Sequence, residues 1–570
     1  MLQLDLTVLA NSLLSPAYLA LTSLLAVLVY ALWSMHRQPY AENLRNLKGP
    51  GCKTWFFGSF PPGAEISGRY ELELNKFVRE YGPICTYSEM GRVPVIVLAD
   101  HRAVNKVLLQ TPYSRVTVIN DLVKRHVGSG LIATEGAQHR RQRRVAQPAF
   151  TQASVYRMAP TMHEKAGQMV TRLRRTLAQT TASNDEEFGS YVDITKHIFP
   201  CTLDIIGVVG FNYEFDSLLR DENSSELEKA FHGCLETIVT GTAYNLLRIA
   251  LGAPVEAIGR LLGNKEQRKL DDAKSIVRAM SAQLVEKAKA EGNEGTDLLT
   301  LMVRANVSAD VKDSQRLTDE ELREMVPVFL FAGHETTATA LSWSMMELMN
   351  ANYGKQLQER LRSELTGQDV SWQSDPSKLD SLPYLDAFTR ETLRYYCPVR
   401  NVPRQAPFDD VIPLSRPAEM KDGTYVNEIR VLKGQTVQFP VAMMNRDPQG
   451  LFGARAEEFL PERWLPEDHR LALPQSEGAD ASLCELKGVY SSLMTFGCGT
   501  QMCIGVRMAV LEFKVILAAL VTSFEILPPN LPGEPEIEIQ SLDMVVSKPV
   551  LKKDPKAGLT MPVRLKCLLE

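Results

Sequence analysis

The chain is poor in the features that mark several common protein classes. Its nine cysteines (Cys52, Cys85, Cys201, Cys234, Cys397, Cys484, Cys498, Cys503 and Cys567) are scattered, odd in number and without paired spacing. That argues against a secreted disulfide framework and for a reducing compartment. Cys498 and Cys503 lie close together, but no second Cys/His cluster follows at zinc-site spacing, which speaks against a structural zinc. The net charge is only -5, with 23% charged and 45% hydrophobic residues. This is the balance of an ordinary folded protein, with no polyanion signal, so nucleic acid is not an expected partner. No solenoid-type repeat or extended low-complexity segment divides the sequence. No G-x-G-x-x-G follows a strand-like run, so the chain carries no flavin or dinucleotide fingerprint of its own.

Long uncharged runs are also scarce, with one exception. Residues 17–34, Ala17 to Ser34, contain no charge and as a helix would measure about 27 Å, close to the thickness of a bilayer core. No basic segment precedes the run and no small-residue cleavage site follows it. Trp33, His36, Arg37, Arg45 and Lys48 place an aromatic and positive charge on its C-terminal side. The expectation is an uncleaved single-pass anchor with the body in the cytosol, a cleaved signal peptide being the alternative. Residues 1–16 then form a short leading segment. Residues 35–64, with Gly49-Pro50-Gly51 and Phe60-Pro61-Pro62-Gly63, read as a stiff connector. Residues 65–570 read as one domain, mainly α with small β-sheets, in which Val93–Leu98 and Thr436–Phe439 are strand-like.

Two segments break the local rules. Phe496-Gly-Cys-Gly-Thr-Gln-Met-Cys503-Ile-Gly505 has the spacing F-x-x-G-x-x-x-C-x-G. Gly499 and Gly505 would permit a tight turn around the sulfur, and helical periodicity resumes at once, which puts Cys503 beside a positive helix terminus that favours thiolate. This reads as a loop that presents a thiolate to haem iron. The second segment lies in a long apolar helix predicted from Thr318, with Glu321 completing a capping box, through Met349. Its middle, Phe331-Ala-Gly-His-Glu-Thr-Thr-Ala338, inserts a glycine, an acid and two hydroxyls where leucine or alanine would be more stable. Such inconsistencies mark function.

With both segments in view, the chain resembles the cytochrome P450 superfamily of haem-thiolate monooxygenases in its membrane-anchored fungal or microsomal form. The resemblance implies that Cys503 is the axial ligand of haem b, with Phe496, Gly499 and Gly505 shaping its loop. It implies that the helix bends at Ala332–Thr337, with Thr336 and Glu335 relaying protons to iron-bound oxygen. Glu391-Thr-Leu-Arg394, followed by Arg463 in Phe459-Leu-Pro-Glu-Arg-Trp464, is similar to the family's buried Glu-Arg-Arg network. His139-Arg-Arg-Gln-Arg143 stands where the family usually has W-x-x-x-R; the tryptophan is replaced, and His139 and Arg143 are expected to meet a haem propionate, as is Arg404. Gln501 and Thr500 depart from the arginine or histidine and the proline common in the cysteine loop.

The implied activity is NADPH-driven insertion of one oxygen atom from dioxygen into a lipophilic substrate, with electrons from a separate flavoprotein reductase and cytochrome b5 as a second candidate donor. The implied location is the endoplasmic reticulum membrane. Distal-pocket positions map onto Tyr113–Leu131, Phe329–Ala332, Val399–Val402 and Asp543–Val546, with Arg400-Asn401 as a candidate polar handle. A terpenoid or other fungal secondary metabolite is the expected substrate; fatty acids or xenobiotics are the alternative. A haem-thiolate isomerase or dehydratase and a non-catalytic haem sensor are the rival functions.

Overall fold

A computed structural model describes residues 42–568 apart from 55–57, 62–69, 90–92, 181–187, 221–226, 231–232, 235–243, 245–247, 249–251, 293, 309–311, 368–370, 466–492 and 544. The anchor expected at 17–34 lies outside the described residues. Among those residues no helix is long and apolar enough to cross a membrane.

Among the described residues the body is helix-rich with four small sheets, as the apolar periodicity suggested. Six helices position the site: α1 (Gly136–Ala146), α2 (Gln152–Thr180), α3 (Thr195–Phe211), α4 (Asp319–Leu348), α5 (Pro383–Tyr395) and α6 (Val506–Ser523). The central helix α4 starts at the expected capping box. The Thr318 hydroxyl accepts from the Glu321 N–H at 3.2 Å, and the Glu321 carboxylate accepts from the Thr318 N–H at 2.9 Å. Most of α4 is buried, which explains a sequence apolar on nearly every face. It packs on α3, and α6 packs along α2. Together the four helices enclose the main hydrophobic core.

The strands are β1 (Ile84–Ser88), β2 (Pro94–Leu98), β3 (Ser190–Asp193), β4 (Asn401–Gln405), β5 (Asp410–Glu419), β6 (Tyr425–Val431), β7 (Thr436–Pro440), β8 (Phe524–Leu527), β9 (Ile539–Asp543), β10 (Ser547–Leu551) and β11 (Pro562–Cys567). The principal sheet has the order β1-β2-β7-β4. Its inner strands are the two runs read from sequence; β2 and β7 are parallel, as buried apolar strands can be, and β4 is antiparallel to β7. A second core lies under this sheet.

Part of the segment read as a connector is docked on the body. Leu47 and Phe60 are each 1% exposed, and Phe60 packs against Tyr70, Phe77 and Tyr87 with centroid separations of 4.8–5.4 Å. Burial of these side chains, invisible to a reading of Pro and Gly spacing, ties the entry of the chain to the sheet.

Candidate functional site

The cysteine loop and α4 face each other across a cavity of about 450 Å³. Cys503 lines it from one side. Gly333, Thr336 and Thr337 line it from the other.

The loop is fixed by its backbone. The Cys503 N–H donates to the Phe496 carbonyl at 2.8 Å, and helix α6 begins three residues after the sulfur with Gly505 as its cap. Gly499 sits at φ +70°, and a Cβ there would lie 2.4 Å from the Leu108 carbonyl oxygen, so both backbone strain and space demand glycine. Gly505 differs: its φ of -88° suits any residue. A Cβ there would lie 3.7 Å from the Phe150 ring and 4.0 Å from the Cys503 sulfur, ordinary contact distances, so this glycine does not make the turn. Gly497 at φ +69° is the other residue the turn needs, and sequence reading passed over it. Cys503 is solvent-accessible yet enclosed by protein, because its exposed surface opens on the cavity. Burial pushes its thiol up, opposed by the Gly505 N–H and the Arg143 guanidinium. The free protein therefore favours thiol, and a ligated metal would have to displace the proton.

On α4 the motif divides. Thr336 donates its hydroxyl to the Ala332 carbonyl at 2.9 Å, which leaves its oxygen able to accept from the cavity. The helix runs unbroken through this segment. Gly333 lets α3 approach, since a Cβ would meet Ile206 at 2.7 Å. His334 turns toward α3 and meets the Thr202 hydroxyl at 3.0 Å. Glu335 is 3% exposed and outside the cavity lining, held at 2.5 Å by Lys548 of β10. Thr336 is thus at the cavity and Glu335 is not.

A basic cluster closes one end. His139 and Arg143, one turn apart on α1, both line the cavity, as do Arg404 of β4 and Arg115. The Arg143 guanidinium donates to the Met502 carbonyl at 2.7 Å, and Arg115 to the Thr134 carbonyl at 2.8 Å. Among the described residues no carboxylate lies within ion-pair distance of the three guanidinium groups; nearby Glu135 accepts instead from the Arg115 backbone N–H. Burial, and then the neighbouring Arg115, push Arg404 down to about 10. Burial and the surrounding arginines push His139 down to about 4. Crowded, desolvated cations of this kind call for an anion. Two carboxylates at the edge of a flat ligand would supply it, and the propionates of a haem are such a pair. Arg115 lies in the expected pocket segment Tyr113–Leu131 but nothing in the sequence singled it out, being one arginine in a loop, and it offers the charge that Gln501 lacks. Of the other α1 arginines, Arg141 pairs with Glu321, Arg144 bonds Gln315, and Arg140 is exposed.

The Glu-Arg-Arg residues meet in full burial. The Arg394 side chain uses all five N–H donors: Nε and one Nη2 proton on Glu391 at 2.8 and 2.7 Å, and the others on the carbonyls of Asn445, Ala456 and Glu458. Glu391 also accepts from Arg463 Nε at 3.2 Å, the Leu460 N–H at 2.7 Å and Trp464 Nε1 at 2.9 Å. Trp464 is a member that sequence reading quoted without using; its place beside Arg463 was the available signal.

The expected pocket segments contribute Val116, Ile119, Leu131, Phe329, Val399, Val402, Val545 and Val546 to a mainly apolar lining. Arg400 corrects the proposed polar handle. It is tied to Glu71 at 2.8 Å and Ser541 at 3.1 Å and lies over Trp343, whereas Asn401 does line the cavity. A further missed residue is Glu512 of α6, a 1% exposed carboxyl in the lining. An acid inside Val510-Leu-Glu-Phe-Lys-Val-Ile-Leu517 is a local inconsistency of the same kind as the α4 motif.

Comparison with known proteins agrees with this geometry. Residues 48–553 match the cytochrome P450 family. The chain is similar to cytochrome P450 monooxygenase 205 of Postia placenta, with 32% identity over 560 residues covering 95% of this chain and 96% of the relative. It is similar to monooxygenase 128 of the same fungus, at 32% over 565 residues with the same coverage, and to a ganoderic acid synthetase of Ganoderma lucidum, at 30% over 522 residues covering 87% and 90%. A sulfur opening on an apolar cavity, a basic cluster suited to propionates and this similarity together establish that the chain belongs to the cytochrome P450 family, whose haem-thiolate monooxygenases are oxidoreductases.

Proposed function

We propose that this protein is an NADPH-dependent monooxygenase that uses haem b to insert one atom of dioxygen into a lipophilic secondary-metabolite intermediate, a terpenoid being the favoured class. The observation that carries the reading is the placement of the Cys503 sulfur and the Thr336 hydroxyl on opposite walls of one apolar cavity. No C-x-x-C-H motif is present, which supports a non-covalently held haem. The relative named for ganoderic acid synthesis supports a biosynthetic role by analogy.

In this reading Arg115, His139, Arg143 and Arg404 would hold the propionates and Cys503 would supply the thiolate to the iron. When bound, the haem supplies the redox centre at which dioxygen is activated, with the thiolate pushing electron density toward it. The Gly505 N–H and Arg143 stabilise the sulfur anion once its proton has left. Phe329, Val399, Val402 and Val546 exclude water and orient the substrate's apolar skeleton. Thr336 accepts a hydrogen bond from a cavity water and keeps it placed for proton transfer. A membrane-bound flavoprotein reductase delivers electrons singly, and cytochrome b5 is a second candidate donor. Residues 17–34 anchor the enzyme in the endoplasmic reticulum membrane with the body cytosolic.

Replacing Cys503 by serine should abolish the thiolate-type ferrous carbon monoxide spectrum in folded protein, and retention of that spectrum would reject Cys503 as ligand. Titrating the membrane-bound ferric enzyme with matched terpenoid and fatty-acid panels should give a saturable high-spin Soret shift with terpenoids. A response confined to fatty acids would replace the terpenoid reading with lipid hydroxylation. Incorporation of labelled oxygen that depends on NADPH separates a monooxygenase from an isomerase, a dehydratase or a haem sensor.

A further inference from the structure

The polar side chains of the cavity lining have their hydrogen bonds met to different degrees. Arg115 and Arg143 donate to backbone carbonyls at the basic end. On the α4 wall Thr336 donates to the Ala332 carbonyl and Thr337 to Glu512, and Thr495 donates to the Leu393 carbonyl at 2.7 Å. Two amides stand apart. Asn120, on a short helix Thr117–His126, lines the cavity and is 9% exposed, and its Oδ1 is buried with no partner in the protein. Asn401, the first residue of β4, lines the same cavity, and its Oδ1 is also buried and unpartnered. Gln501 shares that condition but lies two residues before the sulfur, so it belongs to the cofactor's side of the cavity.

The elements that carry the two amides are tied together. The Gln405 N–H at the end of β4 donates to the Ser114 carbonyl at 2.8 Å, and the Thr117 hydroxyl donates to the Gln405 side-chain oxygen at 2.9 Å. The neighbouring lining residues Val116, Ile119, Val123, Val399 and Val402 are apolar. Leucine or valine would suit such walls, so an asparagine in each is a local inconsistency of the kind that marks function. A buried amide with an unmet oxygen is costly until something supplies the bond.

We propose that Asn120 and Asn401 read hydroxyl groups on the substrate, so that the enzyme acts on a lipophilic alcohol, a skeleton already oxygenated, rather than on a bare hydrocarbon. The inference rests on the monooxygenase reading of the same site and names its substrate class. A hydroxyl is donor and acceptor in one, so it satisfies the amide oxygen or, after a turn of the amide about its broad terminal torsion, the NH2 group. A ketone or an ether offers the oxygen no donor. A carboxylate calls for a cation, but Arg115 and Arg404 belong to the basic end and Arg400 is taken by Glu71. An ammonium group calls for a carboxylate, and Glu512 of the lining is held uncharged by burial. In the substrate-free cavity water takes these bonds. An alcohol replaces that water in kind, whereas a hydrocarbon expels it and leaves the amides bare. The reaction that supplies the substrate is then one that installs a hydroxyl: a hydration, an earlier hydroxylation or the reduction of a ketone.

The test titrates the haem-loaded, full-length enzyme in its membrane with three matched pairs, each an alcohol against the same skeleton without its hydroxyl: cholesterol and cholest-5-ene, cedrol and cedrane, dodecanol and dodecane. Concentrations are corrected for partition into lipid, and the Soret shift gives a dissociation constant without turnover. In at least one pair the alcohol should bind about tenfold or more tightly than its hydrocarbon. Asn120→Leu and Asn401→Leu should each shrink that ratio by weakening the alcohol and tightening the hydrocarbon, a crossed pattern that lost packing alone does not give. Equal affinities within every pair, failure of every alcohol to bind, or parallel weakening of both members in both variants would overturn the proposal. If Asn120→Leu does not fold, Asn401→Leu decides alone: the crossed pattern supports the proposal and a parallel one overturns it. A preference confined to dodecanol would support the amide reading and remove the terpenoid class. A wild type that selects alcohols yet incorporates no labelled oxygen would sink the monooxygenase reading and leave the hydroxyl preference standing.

Discussion

Two charged groups, one fully buried in the core and one lining the cavity, behave as opposites. In the Glu391, Arg394 and Arg463 cluster every donor of Arg394 has an acceptor, and Glu391 takes hydrogen bonds from four residues of the surrounding chain. In the Arg115, His139, Arg143 and Arg404 cluster, three guanidinium groups crowd around an imidazole that burial keeps neutral, and among the described residues they hydrogen-bond only to backbone carbonyls. The first is complete within the protein, as a structural network must be. The second has no ion-paired carboxylate among the described residues, as an anion-binding site would not. Satisfaction of charge, more than burial or sequence motif, tells the two roles apart.

The sharpest way to break the comparison is Glu391→Ala. It leaves two desolvated guanidinium groups uncompensated, and denaturant titration should show a loss of about 3–5 kcal/mol with or without haem. A loss below about 1 kcal/mol would mean the network is relaxed by water. Next in size, Gly499→Ala should cost roughly 2 kcal/mol, because a side chain at positive φ is strained and its Cβ meets the Leu108 carbonyl. Gly505→Ala should cost less, since its φ suits any residue and its Cβ would make only ordinary contacts with Phe150 and the sulfur. Arg404→Met should do the reverse of Glu391→Ala: apoprotein stability is kept or raised as repulsion with Arg115 is relieved, while haem affinity falls on the order of tenfold. Equal destabilisation of apoprotein by both variants would erase the distinction.

The smallest effect is in pH. The folded value of His139, about 4, lies below its ordinary 6.5, so between those limits the unfolded chain binds more protons and stability falls as pH drops. Propionates would raise the folded value and reduce that fall. His126 and His197, held near 3 and 4 by burial, contribute in both states, so the apo-minus-holo difference in denaturation midpoint isolates the cluster. Identical pH slopes would place His139 away from the anion.

Features carried by neighbouring residues were legible in the sequence. The capping box needs only Thr318 and Glu321, three residues apart, and it formed as read. The cysteine loop needs its own glycines and the helix that follows, and both are present. Glu391 and Arg394 share a turn of α5, so their pairing was local too. By itself, then, the sequence determined the helix-rich class, the two runs that became β2 and β7, the turn that presents Cys503 and the family to which the chain belongs. Tertiary structure alone decided which charges find partners. It sent Arg400 to Glu71 and Glu335 to Lys548, brought Arg115 beside Arg404, buried Phe60 of the expected connector and left Glu512 at the cavity. The reason is physical: a turn or cap is fixed by interactions over a few residues, whereas the state of a buried charge depends on dielectric and on partners hundreds of residues away, which only the packed chain brings together.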